Sequence, residues 1–216
     1  MIRIFIESGV SVAKSKGKKT TNEQDFVEKL IAHYFPKAVI SRDFEVVGVD
    51  GWTNITNQRY DFKQNTDEGG KNLVIFDADE EQNGGGFEKR KAELENLKKQ
   101  VEIEFELFLW PNNQDNGDFE LLLSQAINTK HQCLLDCYDE FENNVRKHDP
   151  NEEKYVTPGR KGKIYTYETL HKGLQKFEKE IKAGYWQFDN PEYWNLNAIQ
   201  LKPLVEFLSL FFGIYR

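Results

Sequence analysis

The sequence predicts an α/β fold, a mainly parallel four-stranded sheet flanked by helices with a helical C-terminal elaboration. Two observations carry this expectation. Four short apolar runs alternate with stretches of helical periodicity in the order β, α, β, β, α, β between Ile2 and Trp110. Breakers bound the runs as short strands, with Gly51 ending the second, Gly69-Gly70 preceding the third and Pro111 stopping the fourth.

Residues 2–7 read as the first strand, and Ser8 to Asn22 is a long polar segment. Phe26, Val27, Leu30, Ile31 and Tyr34 then keep one helix face apolar; Thr21 or Asn22 caps the start and Pro36 stops the last turn. Glu45 to Val49 is the second strand, ending near Gly51. Thr53 to Lys71 is polar and irregular, with Gly69-Gly70 as a breaker before the third strand, Leu73 to Phe76. The turn Asn83-Gly84-Gly85-Gly86 leads into a charged helix from about Phe87 to Gln100, with Phe87, Leu94, Leu97 and Val101 facing inward. Phe105 to Trp110 is the fourth strand, stopped by Pro111.

Asn112 to Asp118 reads as a turn-rich loop and Phe119 to Asn144 as mostly helical. Residues 145–163 carry Pro150, Pro158, Gly159 and Gly162 and read as a linker or long functional loop. Two further helices, about 166–182 and 203–212, are expected to pack back through Leu204, Phe207, Leu208, Phe211 and Phe212. The predicted organisation is thus an α/β domain over 1–144, with 145–216 as a linker and helical elaboration on the same core.

With 16 Phe, 9 Tyr and 4 Trp among 216 residues, the chain has the large side chains a globular core needs, although 30% of it is charged. No apolar stretch is long enough to cross a bilayer and no signal-peptide pattern opens the sequence, so a cytoplasmic protein without membrane contact is expected. Cys133 and Cys137 lie four residues apart and make neither a disulfide framework nor a zinc motif. The net charge of -7 argues against a protein that coats nucleic acid with its whole surface, while leaving room for a local basic groove. Two basic clusters, Lys14-Ser15-Lys16-Gly17-Lys18-Lys19 and Arg160-Lys161-Gly162-Lys163, read as loops, and as solvated loops they need no ligand.

The chemistry-bearing residues are the carboxylates that close two strands. Glu7 follows Ile4-Phe5-Ile6, and Asp77 and Asp79 follow the third strand. In open α/β sheets ligands bind outside the carboxyl ends of the strands, where these three would lie. Asp77 and Asp79 are one residue apart, so in an extended strand both side chains point the same way and suit a hard cation. The plainer alternative makes each Asp a turn former. Asp118 and Glu120 precede Leu121-Leu122-Leu123; they read either as helix N-terminal acids or as ligands of a second metal.

Glu7-Ser8-Gly9 after a first strand and Phe76-Asp77-Ala78-Asp79 after a third resemble the two motifs of the Toprim domain. That family occurs in topoisomerases, primases, recombination proteins and overcoming-lysogeny-defect nucleases. The resemblance covers roughly residues 2–125, and Gly117-Asp118-Phe119-Glu120-Leu121-Leu122 after Trp110-Pro111 is further similar to small stand-alone Toprim-like proteins of prokaryotes. About 15 residues including the lysine cluster intervene between Glu7 and the helix start Asn22-Glu23-Gln24-Asp25-Phe26, where the family has a short link.

The resemblance implies Mg²⁺ or Mn²⁺ on Asp77 and Asp79, with Glu7 as a third ligand or as the general acid/base of phosphoryl transfer. Lys14, Lys16, Lys18 and Lys19 of the inserted segment are the candidates for binding phosphate oxygens. The expected activity is metal-dependent hydrolysis of nucleic-acid phosphodiesters. The alternatives are a catalytically weak module that binds nucleic acid or a protein partner in defence or repair, and phosphoryl transfer on a nucleotide or small phosphate.

Other chemistries fit less well. Gly17-Lys18-Lys19-Thr20 fails the Walker spacing, because position 12 is Val and Lys19 stands where Ser or Thr is needed. His33, His131, His148 and His171 are scattered without ligand spacing, and no Gly-x-Ser-x-Gly elbow is present. Tyr185, Trp186, Phe188, Tyr193 and Trp194 offer base-stacking surface but are expected to pack the core. The chain is also short for a topoisomerase, which needs a separate cleavage domain.

Overall fold

A computed structural model describes residues 1–9, 20–148, 151, 154–182 and 185–215. The protein is α/β, with four parallel strands flanked by helices. In chain order the elements are β1 (Ile2–Ile6), α1 (Asn22–Tyr34), β2 (Phe44–Gly48), α2 (Arg59–Asp67), β3 (Lys71–Asp77), α3 (Phe87–Gln100) and β4 (Glu106–Trp110). Then follow α4 (Phe119–Gln125), α5 (Gln132–His148), α6 (Gly159–Leu170), α7 (Glu178–Lys182) and α8 (Lys202–Phe212).

The sheet order is β2-β1-β3-β4, with β1 and β3 paired at the centre. Their register sets Ile6 opposite Ile75, and β3 sets Asp77 opposite Trp110. Glu7 and Asp77 are therefore delivered to the same carboxyl edge by adjacent strands.

Side chains alternate between the two faces, and both faces are covered. Ile4, Ile6, Leu73, Ile75, Phe108 and Trp110 meet α1 and the C-terminal helices, while Phe5, Val74, Phe76 and Leu109 meet α2 and α3. Phe5 stacks on Phe62 of α2 with centroids 3.8 Å apart, an aromatic pair worth roughly 0.5–1.5 kcal/mol beyond its area burial. In α8, Leu204, Leu208 and Phe212 are fully buried in the same cluster as Ile2 and Phe44, with Phe207 and Phe211 packed against it. The C-terminal elaboration thus shares the core of the sheet.

Three segments differ from the sequence expectation. The stretch read as irregular between Thr53 and Lys71 holds a 3-10 segment, Trp52–Gln58, and α2. Helix α2 lacks an apolar stripe; only Phe62 and Asn65 are buried, and amide hydrogen bonds anchor it. Asn65 Nδ2 donates to Asn72 Oδ1 (2.8 Å), and Asn72 Nδ2 donates to the carbonyls of Phe62 and Glu104 (both 3.0 Å). The expected linker 145–163 is shorter, since α5 continues to His148 and α6 begins at Gly159. The helix expected over 166–182 is instead the end of α6, a 3-10 segment Lys172–Phe177 and α7.

The aromatic segment packs the core. Trp186, Phe188 and Trp194 are buried, and the indole N–H groups donate to Ile181 O (3.1 Å) and Trp186 O (2.8 Å). Cys133 and Cys137 are exposed free thiols. Among the described residues no helix is long and apolar enough to cross a membrane.

Candidate functional site at the carboxyl edge of the sheet

The site begins where β1 and β3 end side by side. Glu7 Oε2 accepts the backbone N–H of Asp77 at 3.2 Å, and Oε1 accepts that of Trp52 at 3.4 Å. The first-strand acid is thereby held against the start of the Asp77-Ala78-Asp79 segment. Gly48 makes this convergence possible: a Cβ there would lie 2.3 Å from the Ser8 carbonyl oxygen, so a side chain would push β2 away from the exit of β1.

Asp77 reaches forward rather than back. Its Oδ1 accepts the N–H of Phe119 at 2.8 Å, tying the end of β3 to the first residue of α4. Asp79 does not continue the strand. Its φ of +61° is left-handed, and its backbone pairs with Gly117 (2.7 and 3.0 Å). The extended spacing assumed for the two aspartates is therefore interrupted at Asp79, whose Oδ2 meets Arg90 Nη2 of α3 at 2.7 Å. Gly85 backs this turn, since a Cβ on it would lie 2.3 Å from Asp79 Cβ. Arg90 is itself buried, pairs with Glu93 (3.1 Å), and lies over the Trp52 ring at 4.3 Å from its centroid.

Sequence reasoning missed one member of the cluster. Glu23, in the first turn of α1, is buried; its Oε1 accepts the Trp110 indole N–H (2.8 Å) and its Oε2 accepts the Ser8 N–H (3.0 Å). An acid in a first helical turn ordinarily answers the helix dipole, so nothing local marked it as buried. The signal available was Trp110, a strand-end indole needing an acceptor. Ser8 Oγ also lies 2.8 Å from Thr21 Oγ1, so the two ends of the inserted segment meet beside Glu23. Lys14, Lys16, Lys18 and Lys19 lie outside the described residues.

Charge accumulates here without full compensation. Burial pushes Asp77 well above the usual carboxylate range, and the neighbouring Glu23, Glu7 and Glu120 push it further. Burial also raises Glu7, with Asp79 adding to the rise while the Asp77 N–H and Arg90 oppose it. Glu23 is pushed up to about 7, chiefly by burial. Glu120 is raised by burial, with Lys161 opposing.

The second-metal candidates are arranged differently. Asp118 Oδ1 accepts the Leu121 N–H (2.8 Å) as the cap of α4, and its Oδ2 meets Arg160 Nη1 at 3.1 Å. Both Asp118 oxygens are thus committed, one to the cap and one to Arg160. The second basic cluster, read as a loop, is the first turn of α6, because Gly159 at φ +67° and Pro158 turn the chain into the helix there. His131 and His171, scattered in sequence, meet edge-on with centroids 4.5 Å apart, beside Tyr167 and Tyr193.

The fit to a divalent cation follows from the donors left over. Asp77 Oδ2 and Asp79 Oδ1 carry no hydrogen bond among the described residues. No group of three or more His, Cys, Asp or Glu among the described residues is disposed to hold a metal ion. An ion held there would take one or two carboxylate oxygens from the protein and keep several waters, the mode of binding that Mg²⁺ accepts. Relief of the repulsion around Asp77 would favour its binding.

No curated protein and no solved structure matches the chain. One family does, described as "Protein of unknown function (DUF3226)", over residues 20–212. The matched stretch includes Glu23, Asp77, Asp79, Asp118, Glu120 and Arg160, and begins after Glu7. Spanning most of the sequence, the match shows that the chain belongs to the DUF3226 family.

Proposed function

We propose that this protein is a Toprim-like phosphoryl-transfer enzyme that hydrolyses phosphodiesters of nucleic acid with Mg²⁺ or Mn²⁺. The single observation that carries the reading is the contact between Glu7 and the N–H of Asp77, which joins the two sequence motifs at one strand edge. Asp77 and Asp79 are the residues that would hold the ion, and Glu7 is the general acid/base. A bound divalent ion would polarise the phosphate and lower the pKa of a coordinated water.

The remaining chemistry belongs to side chains. Glu7 is half-buried, and a carboxylate raised toward neutrality can take a proton from an attacking water and return it to the leaving oxygen. Each of its oxygens accepts one backbone N–H, at 3.2 and 3.4 Å, and keeps a second lone pair for a proton. Arg90 fixes the position of Asp79 through its ion pair at 2.7 Å. The inserted lysines would meet the phosphate backbone.

A second reading has its own support. With Asp79 paired to Arg90 and both Asp118 oxygens committed, a catalytically weak module that binds nucleic acid or a protein partner is the alternative.

The test uses purified protein with supercoiled plasmid, single-stranded DNA and RNA under Mg²⁺ or Mn²⁺. Nicking that requires the ion and disappears in Glu7→Gln and in Asp77→Asn/Asp79→Asn supports the enzyme. Binding without cleavage supports the module, and phosphate release from nucleotides alone assigns a small-molecule substrate.

A further inference from the structure

Helix α6 packs on α4, and this packing carries Arg160 to the rim of the acidic site. Its Nη2 meets Glu80 Oε1 at 2.7 Å while Nη1 meets Asp118 Oδ2 at 3.1 Å. Glu80 directly follows Asp79, and Asp118 directly precedes Phe119, whose N–H Asp77 holds. One guanidinium thus bridges the two segments on which the proposed metal ligands depend. Lys161, next in sequence, lowers the pKa of buried Glu120 through its charge. The basic turn therefore balances the acids that the proposed first ion does not reach.

A second divalent ion in a phosphodiesterase clamps carboxylates and a substrate oxygen together. A guanidinium can do the same with directional bonds: it stays charged, has five N–H donors in a planar fork, and matches phosphate geometry. Two N–H groups of Arg160 are spent on Glu80 and Asp118, and the side chain remains 37% exposed. Its remaining donors are uncommitted among the described residues.

We propose that Arg160 is a built-in second cation of this site: it clamps Glu80 and Asp118 in place of a second metal ion and presents its remaining N–H groups to a substrate phosphate. The site then needs one exchangeable divalent ion. This inference rests on the phosphoryl-transfer reading above. Arg160 loses no proton in the reaction; its part is to fix the phosphate and balance charge.

Metal stoichiometry tests it without any turnover. Mn²⁺ is titrated into the full chain and followed by calorimetry and by loss of the free-ion paramagnetic signal, with circular dichroism to verify folding. The expected result is one Mn²⁺ for the wild type, two for Arg160→Ala, and one again when Asp118→Asn is added. Arg160→Gln, which keeps the length and a polar head, should also bind two and serves if the alanine variant fails to fold. On a cleavable substrate, Arg160→Ala should raise KM at least tenfold. Two ions on the wild type, or one ion on both folded Arg160 variants, overturns the inference and leaves the metal reading standing. No ion on the wild type overturns both.

Discussion

The carboxylate of Glu7 accepts the backbone N–H of Asp77 across 70 positions of sequence. This bond places two acids of raised pKa at the end of the central strand pair, where burial and mutual repulsion favour a cation. Ion binding should therefore appear first as stability. At Mn²⁺ a hundredfold above Kd, linkage adds about 2.7 kcal/mol, which for a chain of this size raises Tm by roughly 5–10 °C. Asp77→Asn keeps an acceptor for the Phe119 N–H while removing a metal ligand. Thermal scans with and without Mn²⁺ should show the rise in the wild type and none in that variant; an equal rise in both would place the ion elsewhere.

Glu7→Gln separates chemistry from folding. The amide oxygen can still accept the Asp77 N–H, and no buried charge remains to be accommodated. Metal-free stability at pH 8 should hold or rise, while phosphodiester cleavage falls by about 10²–10⁴, the usual contribution of a general acid/base. Paired urea melts and plasmid-nicking rates check both halves.

Arg90 supports the site from behind. Its side chain is 6% exposed, against 33% for Asp79, so the Arg side of this pair has lost most of its water. Arg90→Ala removes the Asp79 and Glu93 pairs and the contact over Trp52, and should cost about 2–4 kcal/mol, discounted for the partly solvated Asp79. Arg90→Lys cannot reproduce the planar fork and should recover only part of that. Urea midpoints at unchanged m give the values; a cost under about 0.5 kcal/mol, typical of exposed pairs, would show Arg90 to be dispensable.

The strand ends were legible because chemistry and periodicity agree there: Ile4-Phe5-Ile6 and Leu73-Val74-Ile75-Phe76 are buried, and each is closed by a carboxylate. Helix α1 was legible for the same reason, with Phe26, Val27, Leu30 and Ile31 all buried and Thr21 capping. Helix α2 was not, because amide bonds through Asn65 and Asn72 replace the apolar stripe that periodicity detects. Arg160 was read as part of a solvated run, since no local pattern says that α6 will lie on α4 and meet Glu80, 80 residues earlier. Glu23 escaped for a related reason, its partner Trp110 being 87 residues away. The residues that failed to declare themselves are those whose partners are polar and distant.

Trp110 and Glu23 offer a direct measure of that hidden coupling. Trp110→Phe keeps a buried ring but withdraws the N–H from Glu23 Oε1, and a hydrogen bond to a charged group is worth about 1.5–3 kcal/mol. Because Glu23 titrates near 7, the cost should be larger at pH 8 than at pH 6. Glu23→Gln completes a double-mutant cycle, and a coupling energy that ignores pH would show that the carboxyl does not change its ionisation in that range.

Glu168 tests burial without compensation. It is fully buried on α6, and neither oxygen has a hydrogen-bond partner among the described residues; the nearby Trp194 N–H, which acts to lower its pKa, is directed at Trp186 O. Burial lifts the acid from 4.5 to about 8. The folded state then holds its proton where the unfolded chain has lost it, so this contribution is complete below pH 4.5 and declines at about 1.4 kcal/mol per pH unit until about 8. His171 runs the other way: burial lowers it to about 4, so its contribution is present above 6.5 and lost as pH falls toward 4. The two slopes oppose each other between 4.5 and 6.5, and above 6.5 only the Glu168 slope of this pair remains. Glu168→Gln should therefore match the wild type near pH 4.5 and gain relative stability steadily toward pH 8, on the order of 5 kcal/mol in full. Urea melts at half-unit pH intervals would show it; a difference independent of pH would mean that Glu168 is ionised throughout.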